Sequence, residues 1–219
     1  MKTTLVLPSL GVTPPGVTPD ALGRLVELLA AHVGVEIVTT CARDRGSWRD
    51  HYDPGVSRIG KVEVWRHRVD YARSPRFAER LRAIALSPAT SPEIERRWIE
   101  EEGPYTSALL RHLDRLRAER DAFVFFGEAA ATTVLGIPRV AGKAVLVSLD
   151  EDATAREAGY IREVFALASG FVFASIAERD RLRSLVPPSA PQAIAEAGNG
   201  ENAAAAILDV LARLPPAND

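Results

Sequence analysis

At 219 residues, 47% of them apolar, the chain can close a full hydrophobic core, and one large unit is the simplest organisation. Charged residues make up 26% but the formal net charge is only -2, so no whole-molecule field draws it to nucleic acid or an anionic membrane. The lone cysteine, Cys41, excludes an internal disulfide, and with four scattered histidines no zinc ligand set assembles, so no metal site is expected.

Short runs rich in Val, Ile and Phe recur along the chain at 3–7, 35–39, 62–66, 122–126, 144–148 and 171–174, and read as strands. Several are apolar throughout, as a strand covered by helices on both faces requires. Between the first two, Thr18 and Pro19 start a helix whose Leu22, Leu25, Val26 and Leu29 share one face. Residues 40–58 form a long polar loop, and 72–92 make an excursion over the sheet edge that holds a short basic helix, 76–84. Ser91 and Pro92 open a helix to Glu102; Gly103 and Pro104 break it from the next, which carries Leu109, Leu110, Leu113 and Leu116 on one face. Ile161, Val164, Phe165 and Ala168 stripe a later helix that ends at Gly170. Ser175 and Glu178 have capping-box spacing before another, and a last helix covers 203–214. The alternation predicts an α/β fold, a Rossmann-like, doubly wound, mostly parallel sheet flanked by helices.

In such a sheet ligands bind beyond the carboxyl ends of strands. The loop 8–19 contains Gly11 and Gly16 but neither the glycine fingerprint of dinucleotide folds nor a P-loop, so no cofactor is expected. No serine or cysteine nucleophile stands in a pattern with histidine and carboxylate; His32, His67 and His112 read as surface or interior residues, while His51 sits in the long polar loop. No catalytic residue is assigned. Asp150, Glu151 and Asp152 follow the 144–148 strand and precede a helix near Thr154, where they are either favoured by the helix dipole or placed to hydrogen-bond a sugar hydroxyl or position a general base. Glu128 follows Gly127 at another strand end and has the same two readings. The run Glu100 to Glu102 reads as a solvated helix end, and Trp98 as a packing residue. With no leader-like start and no uncharged apolar run of about eighteen residues, a cytoplasmic protein without a transmembrane segment is expected, peripheral membrane contact staying open.

Four segments, in order, resemble one family. These are ERRWIEEEGPYTSALLRHL (95–113), DAFVFFGEAAATTVLGIP (121–138), KAVLVSLDED (143–152) and REVFALASGFVFASIAERDRL (162–182), with EAGNG (196–200) where a linker would stand. Together they resemble the N-terminal domain of retaining GT-B glycosyltransferases of the group 1 type, also called family four. The resemblance implies a single GT-B lobe over 1–200, with 201–219 a C-terminal helix and tail packing back on it. It further implies an acceptor-side domain that takes part in hexosyl transfer from a nucleotide sugar only when a donor-binding half completes the cleft, and that is inactive alone. Gly16, Val17, Glu128, Asp150 and Glu151 would line the substrate side, and the partners would be a glycan or small-molecule acceptor and a donor-binding glycosyltransferase half. Leu149 stands where the family commonly has histidine, and Asp152 where it has proline. Those departures, with no donor half after Gly200, keep a second reading open: a noncatalytic binding or assembly module derived from a glycosyltransferase.

Overall fold

The computed structural model describes residues 1–11, 19–86, 91–149, 159–195 and 200–215. Its strands are β1 (Lys2–Val6), β2 (Gly34–Thr40), β3 (Gly55–Ile59), β4 (Val62–His67), β5 (Ala122–Phe126), β6 (Ala144–Val147), β7 (Gly170–Phe173) and β8 (Gln192–Ile194). They form one sheet in the order β3-β4-β2-β1-β5-β6-β7-β8, parallel at every pairing except β3 with β4. The helices are α1 (Pro19–Ala30), α2 (Phe77–Leu86), α3 (Pro92–Glu102), α4 (Ser107–Leu116), α5 (Ala131–Val134), α6 (Gly159–Leu167), α7 (Ile176–Leu182) and α8 (Gly200–Ala212), with a 3-10 turn at Ile137–Val140.

All five residues of β5 are buried, and the pleat deals them alternately to two cores. Phe123 and Phe125 join Trp98, Ile99, Leu109, Leu113, Ile161 and Phe165 beneath α3, α4 and α6. Ala122, Val124 and Phe126 join the α1 stripe Leu22, Leu25, Val26 and Leu29, together with Ile207, Val210 and Leu211 of α8. Helices therefore seal both faces, as the unbroken apolar strands require, and the fold is a doubly wound, Rossmann-like α/β sheet. Two of the helix starts read from the sequence are present, while Thr18 and the start near Thr154 lie outside the described residues. Ser91 caps α3 by accepting the Ile94 N–H, and Ser175 caps α7 by accepting that of Glu178.

Three features differ from the sequence reading. The end of the long polar loop is a strand: Gly55–Ile59 folds back on β4 through a two-residue turn, Gly60 taking the positive φ that such a turn asks of its first position. This hairpin occupies the sheet edge, while α2 instead packs on α3 and contributes Leu81 and Ile84 to the first core. Strand β8 and the pair formed by α5 and the 3-10 turn were not anticipated, because three or four residues are too few to display a period.

Gly136 joins α5 to the 3-10 turn at a point of close approach. A Cβ there would lie 2.3 Å from the Thr132 carbonyl oxygen and 2.7 Å from the Phe125 ring. Gly136→Ala is expected to destabilise the fold by about 1–3 kcal/mol, lowering the urea midpoint without changing the slope of the transition.

Candidate functional site

The strand order reverses between β1 and β5: the chain leaves β1 toward β2 on one side and β5 toward β6 on the other. Loops on either side of such a switch point diverge and leave a crevice at the carboxyl edge. Two polar clusters stand along that edge.

The first lies at the ends of β5, β6 and β7. Glu128, two residues past β5, is fully buried and turned toward β6, where Oε2 accepts from the Leu149 N–H at 3.1 Å and lies 3.2 Å from Ser148 Oγ. Glu178, also fully buried, accepts the Ser148 hydroxyl at 2.6 Å on one oxygen and the Ala174 N–H at 2.6 Å on the other. A hydroxyl has one proton to give, so the shorter contact marks Glu178 as its main acceptor. Ser148 thus stands between two buried carboxylates, one from the segment after β5 and one from the first turn of α7, and Glu128 also holds the Leu149 N–H.

The second cluster lies at the ends of β1, β2 and β4. Thr40 Oγ1 donates to the Pro8 carbonyl at 2.6 Å, and Ser9 Oγ donates to that of Arg43 at 3.0 Å, tying the first two loops together. Arg73 crosses from the segment after β4. Its guanidinium donates to the Glu102 carboxylate and to the Glu102 carbonyl, and lies over the Phe77 ring at 4.4 Å and the Trp48 ring at 5.5 Å. Arg45 is 3.9 Å from the same carboxylate. Burial pushes the Glu102 carboxyl up to about 7, with Arg73 and then Arg45 pulling the other way. A carboxyl poised there gains or loses its proton near neutrality, which suits an acid or base and equally suits a structural tie.

Glu100 to Glu102 are not a solvated helix end. Arg96 pairs with Glu100, Arg80 and Arg97 with Glu101, and Arg73 with Glu102, because the 73–80 stretch packs its arginines back onto α3. Trp98 is buried, donating to the Phe77 carbonyl at 2.9 Å. His51 is exposed on the loop after β2, edge-on to Tyr52. Cys41 is a buried free thiol that burial pushes up to about 11, with Asp50 adding to the rise, so it is held as an inert thiol. Among the described residues, no group of three or more His, Cys, Asp or Glu is arranged to hold a metal ion, and no helix is long and apolar enough to cross a membrane.

Of the residues expected to line a substrate, Glu128 lies at the strand end as predicted, buried behind the loop surface. Gly16, Val17, Asp150 and Glu151 lie outside the described residues. Sequence reasoning missed Ser148 and Arg73, which have no local pattern to betray them, and saw Glu178 only as a helix cap. It also missed that His67 and His112 meet, Nε2 to Nδ1 at 3.0 Å, with Trp65 edge-on to His112.

With this geometry in place, the chain can be set beside known proteins. No family model and no curated protein matches it. Among solved structures it aligns with a chain of sucrose-phosphate synthase from Thermosynechococcus elongatus at 15% identity and TM-score 0.56, over 98% of this chain and 99% of that one. An E. coli chain described as trehalose-6-phosphate bound with UDP-2-fluoro glucose aligns at 9% identity and TM-score 0.45, over 90% of this chain and 49% of that one. An alpha,alpha-trehalose 6-phosphate synthase from Burkholderia multivorans aligns at 10% identity and TM-score 0.45, over 91% and 48%. The last two superpose too loosely to bear on the fold; the first shares it from end to end.

Two stability measurements test these assignments. Glu178→Ala strands the Ala174 N–H and leaves the buried Ser148 hydroxyl only its longer contact with Glu128, and is expected to cost about 1–3 kcal/mol in chemical denaturation. The second concerns pH. Burial first, then His112 and the α4 arginines, press His67 from 6.5 down to about 4. Between those values the unfolded chain takes up a proton that the folded chain refuses, so the contribution of His67 is whole above 6.5 and is lost as pH falls through the window. Glu102 runs the other way, holding a proton in the folded state from 4.5 to about 7 and losing stability as pH rises. Substitution separates the two. The stability of the wild type minus that of His67→Phe should grow from pH 4 to 6.5, by less than the ~1.4 kcal/mol per pH unit of a fully shielded group, and then flatten. A pH-independent difference would show that His67 titrates as in the unfolded chain.

Proposed function

We propose that this chain is the acceptor-side lobe of a GT-B-type glycosyltransferase, with residues 1–200 forming the lobe and 201–219 a helix and tail packed back on it. It takes part in hexosyl transfer from a nucleotide sugar when a donor-binding half closes the crevice. One observation carries this reading: the chain corresponds over nearly its whole length to a sucrose-phosphate synthase chain, and its polar clusters gather at the switch point of that shared fold. In line with this, α8 packs on α1 and on β7 and β8. The family-four resemblance of the four segments agrees with it, and so does a cytoplasmic setting, where nucleotide sugars are available.

Transfer moves the hexosyl group from the nucleotide diphosphate to an acceptor hydroxyl, whose proton needs a base, and both substrates have to be held together away from water. One lobe supplies one wall. In this assignment Gly16 and Val17 after β1, and Asp150 and Glu151 after β6, face the acceptor, while Glu128 sets the β6 turn from behind. No cofactor enters the scheme. The donor wall comes from a separate chain or a further domain.

A specific observation favours the second reading, a noncatalytic binding or assembly module. Leu149 packs its side chain against the second core, so the position at which the resemblance asks for an imidazole is spent on packing. The deciding experiment incubates the full chain with radiolabelled UDP-glucose or GDP-mannose and an acceptor extract, alone and with separately expressed donor-binding lobes. The expected result is no transfer alone, transfer with one of the lobes, and at least a tenfold loss in Glu128→Gln that retains its circular dichroism. Association with a lobe but no turnover would establish the noncatalytic module, and neither association nor turnover would sink both readings.

A further inference from the structure

Away from the switch point, a hollow of about 470 Å³ lies between the end of β4 and the outer side of α4, lined by His67, Ala108, Arg111, Asp114 and Arg115. Arg111 and Arg115 are four residues apart and so stand one turn above the other on the helix. Both are exposed, and among the described residues neither has an ion-pair or hydrogen-bond partner, unlike the arginines of α3, each of which pairs with a glutamate one turn on. Asp114, the one carboxylate of the lining, is taken by Arg139 from the 3-10 turn. Ala108 leaves room where a longer side chain would fill the hollow.

The inner wall is held still. His67 and His112 share a hydrogen bond, Trp65 closes on His112 at 4.9 Å between ring centroids, and His112 is buried. That bond uses Nε2 of His67 and leaves Nδ1 as its remaining ring nitrogen. Of the other charged groups around the pair, Arg120 pairs with Glu36 at 2.6 Å and Arg68 with Asp50, while Arg66 donates to the Ser57 hydroxyl and lies over the Tyr52 ring. Two unmatched guanidinium groups and an imidazole therefore converge on one small space.

We propose that this hollow is a binding site for a phosphate-type dianion, gripped by Arg111 and Arg115 and contacted by His67. Planar guanidinium groups match tetrahedral oxyanions in paired hydrogen bonds. Two cationic groups suit one dianion, and the near-zero net charge of the chain favours a single small group over a polyanion. A metal cation would be repelled by the same arginines. Linkage adds a signature: both imidazoles are held below their ordinary value by burial first and by the neighbouring arginines. An anion that cancels the arginine field raises them, so the His67 midpoint, about 4 in the free chain, moves upward on binding, while the affinity itself falls as pH drops from 7.5 toward 6 and phosphate takes up its second proton. The site depends neither on glycosyl transfer nor on the crevice.

The test is calorimetric titration of the full chain with inorganic phosphate at fixed ionic strength between pH 6 and 7.5, with His67 followed by NMR. Saturable binding is expected, weaker at pH 6 than at 7.5 as the dianion is protonated, with an upward move of the His67 midpoint. Arg111→Gln and Arg115→Gln should each weaken it at least fivefold and the double variant should abolish it, while Arg179→Gln, a half-buried arginine on α7, leaves it unchanged. Both sites are exposed, so the variants should fold, which their thermal transitions will verify. A sugar monophosphate and a nucleoside monophosphate, titrated in the same way, identify which carrier of the group fits best. Absence of saturable phosphate binding, or equal binding by the wild type and the double variant, would overturn the site.

Discussion

A parallel sheet whose two faces are both sealed by helices has only its ends left for polar chemistry, and that constraint orders the rest of this molecule. Backbone groups inside the sheet satisfy one another, and the side chains of β5, β6 and β7 are wholly given over to the two cores. Polar side chains are therefore displaced to where strands stop. At the carboxyl edge the backbone N–H groups of Leu149 and Ala174 find their acceptors in side chains, Glu128 and Glu178.

How the edge is held follows from the cost of burying charge. Glu128 and Glu178 are withdrawn from water; the Leu149 N–H for the first, and the Ala174 N–H and the Ser148 hydroxyl for the second, replace hydration they gave up. The ends of β5, β6 and β7 are thereby joined through side chains as well as through the ladder. On the other side of the switch point Arg73 does comparable work for the β2 loop and the end of α3. It stacks on two aromatic rings, which shield its ion pair with Glu102 from solvent.

The same reasoning separates the hollow on α4 from the crevice. At the carboxyl edge Glu128, Glu178, Arg73 and Glu102 each have partners, whereas on α4 two arginines stand without a partner among the described residues beside a hydrogen-bonded imidazole pair. Unmatched charge next to a rigid wall is a different physical situation from a satisfied network. The first lowers its energy by acquiring a counter-charge, and the second by excluding one.

The amino-acid order by itself determined the layered architecture, because the drive to bury apolar side chains writes its period directly into the chain: unbroken runs for β5 and β6, a four-leucine face for α4, and serine caps for α3 and α7. It also marked Glu128 as a strand-end carboxylate. It did not carry β8 or α5, which are shorter than any readable period. Nor could it show that Arg73 meets Glu102 across 29 positions, that His67 meets His112 across 45, or that Ser148 stands between two carboxylates. Those contacts exist only once the loops have been brought to a common edge, since electrostatic and hydrogen-bond partners are chosen by distance in space and leave no periodic trace in sequence.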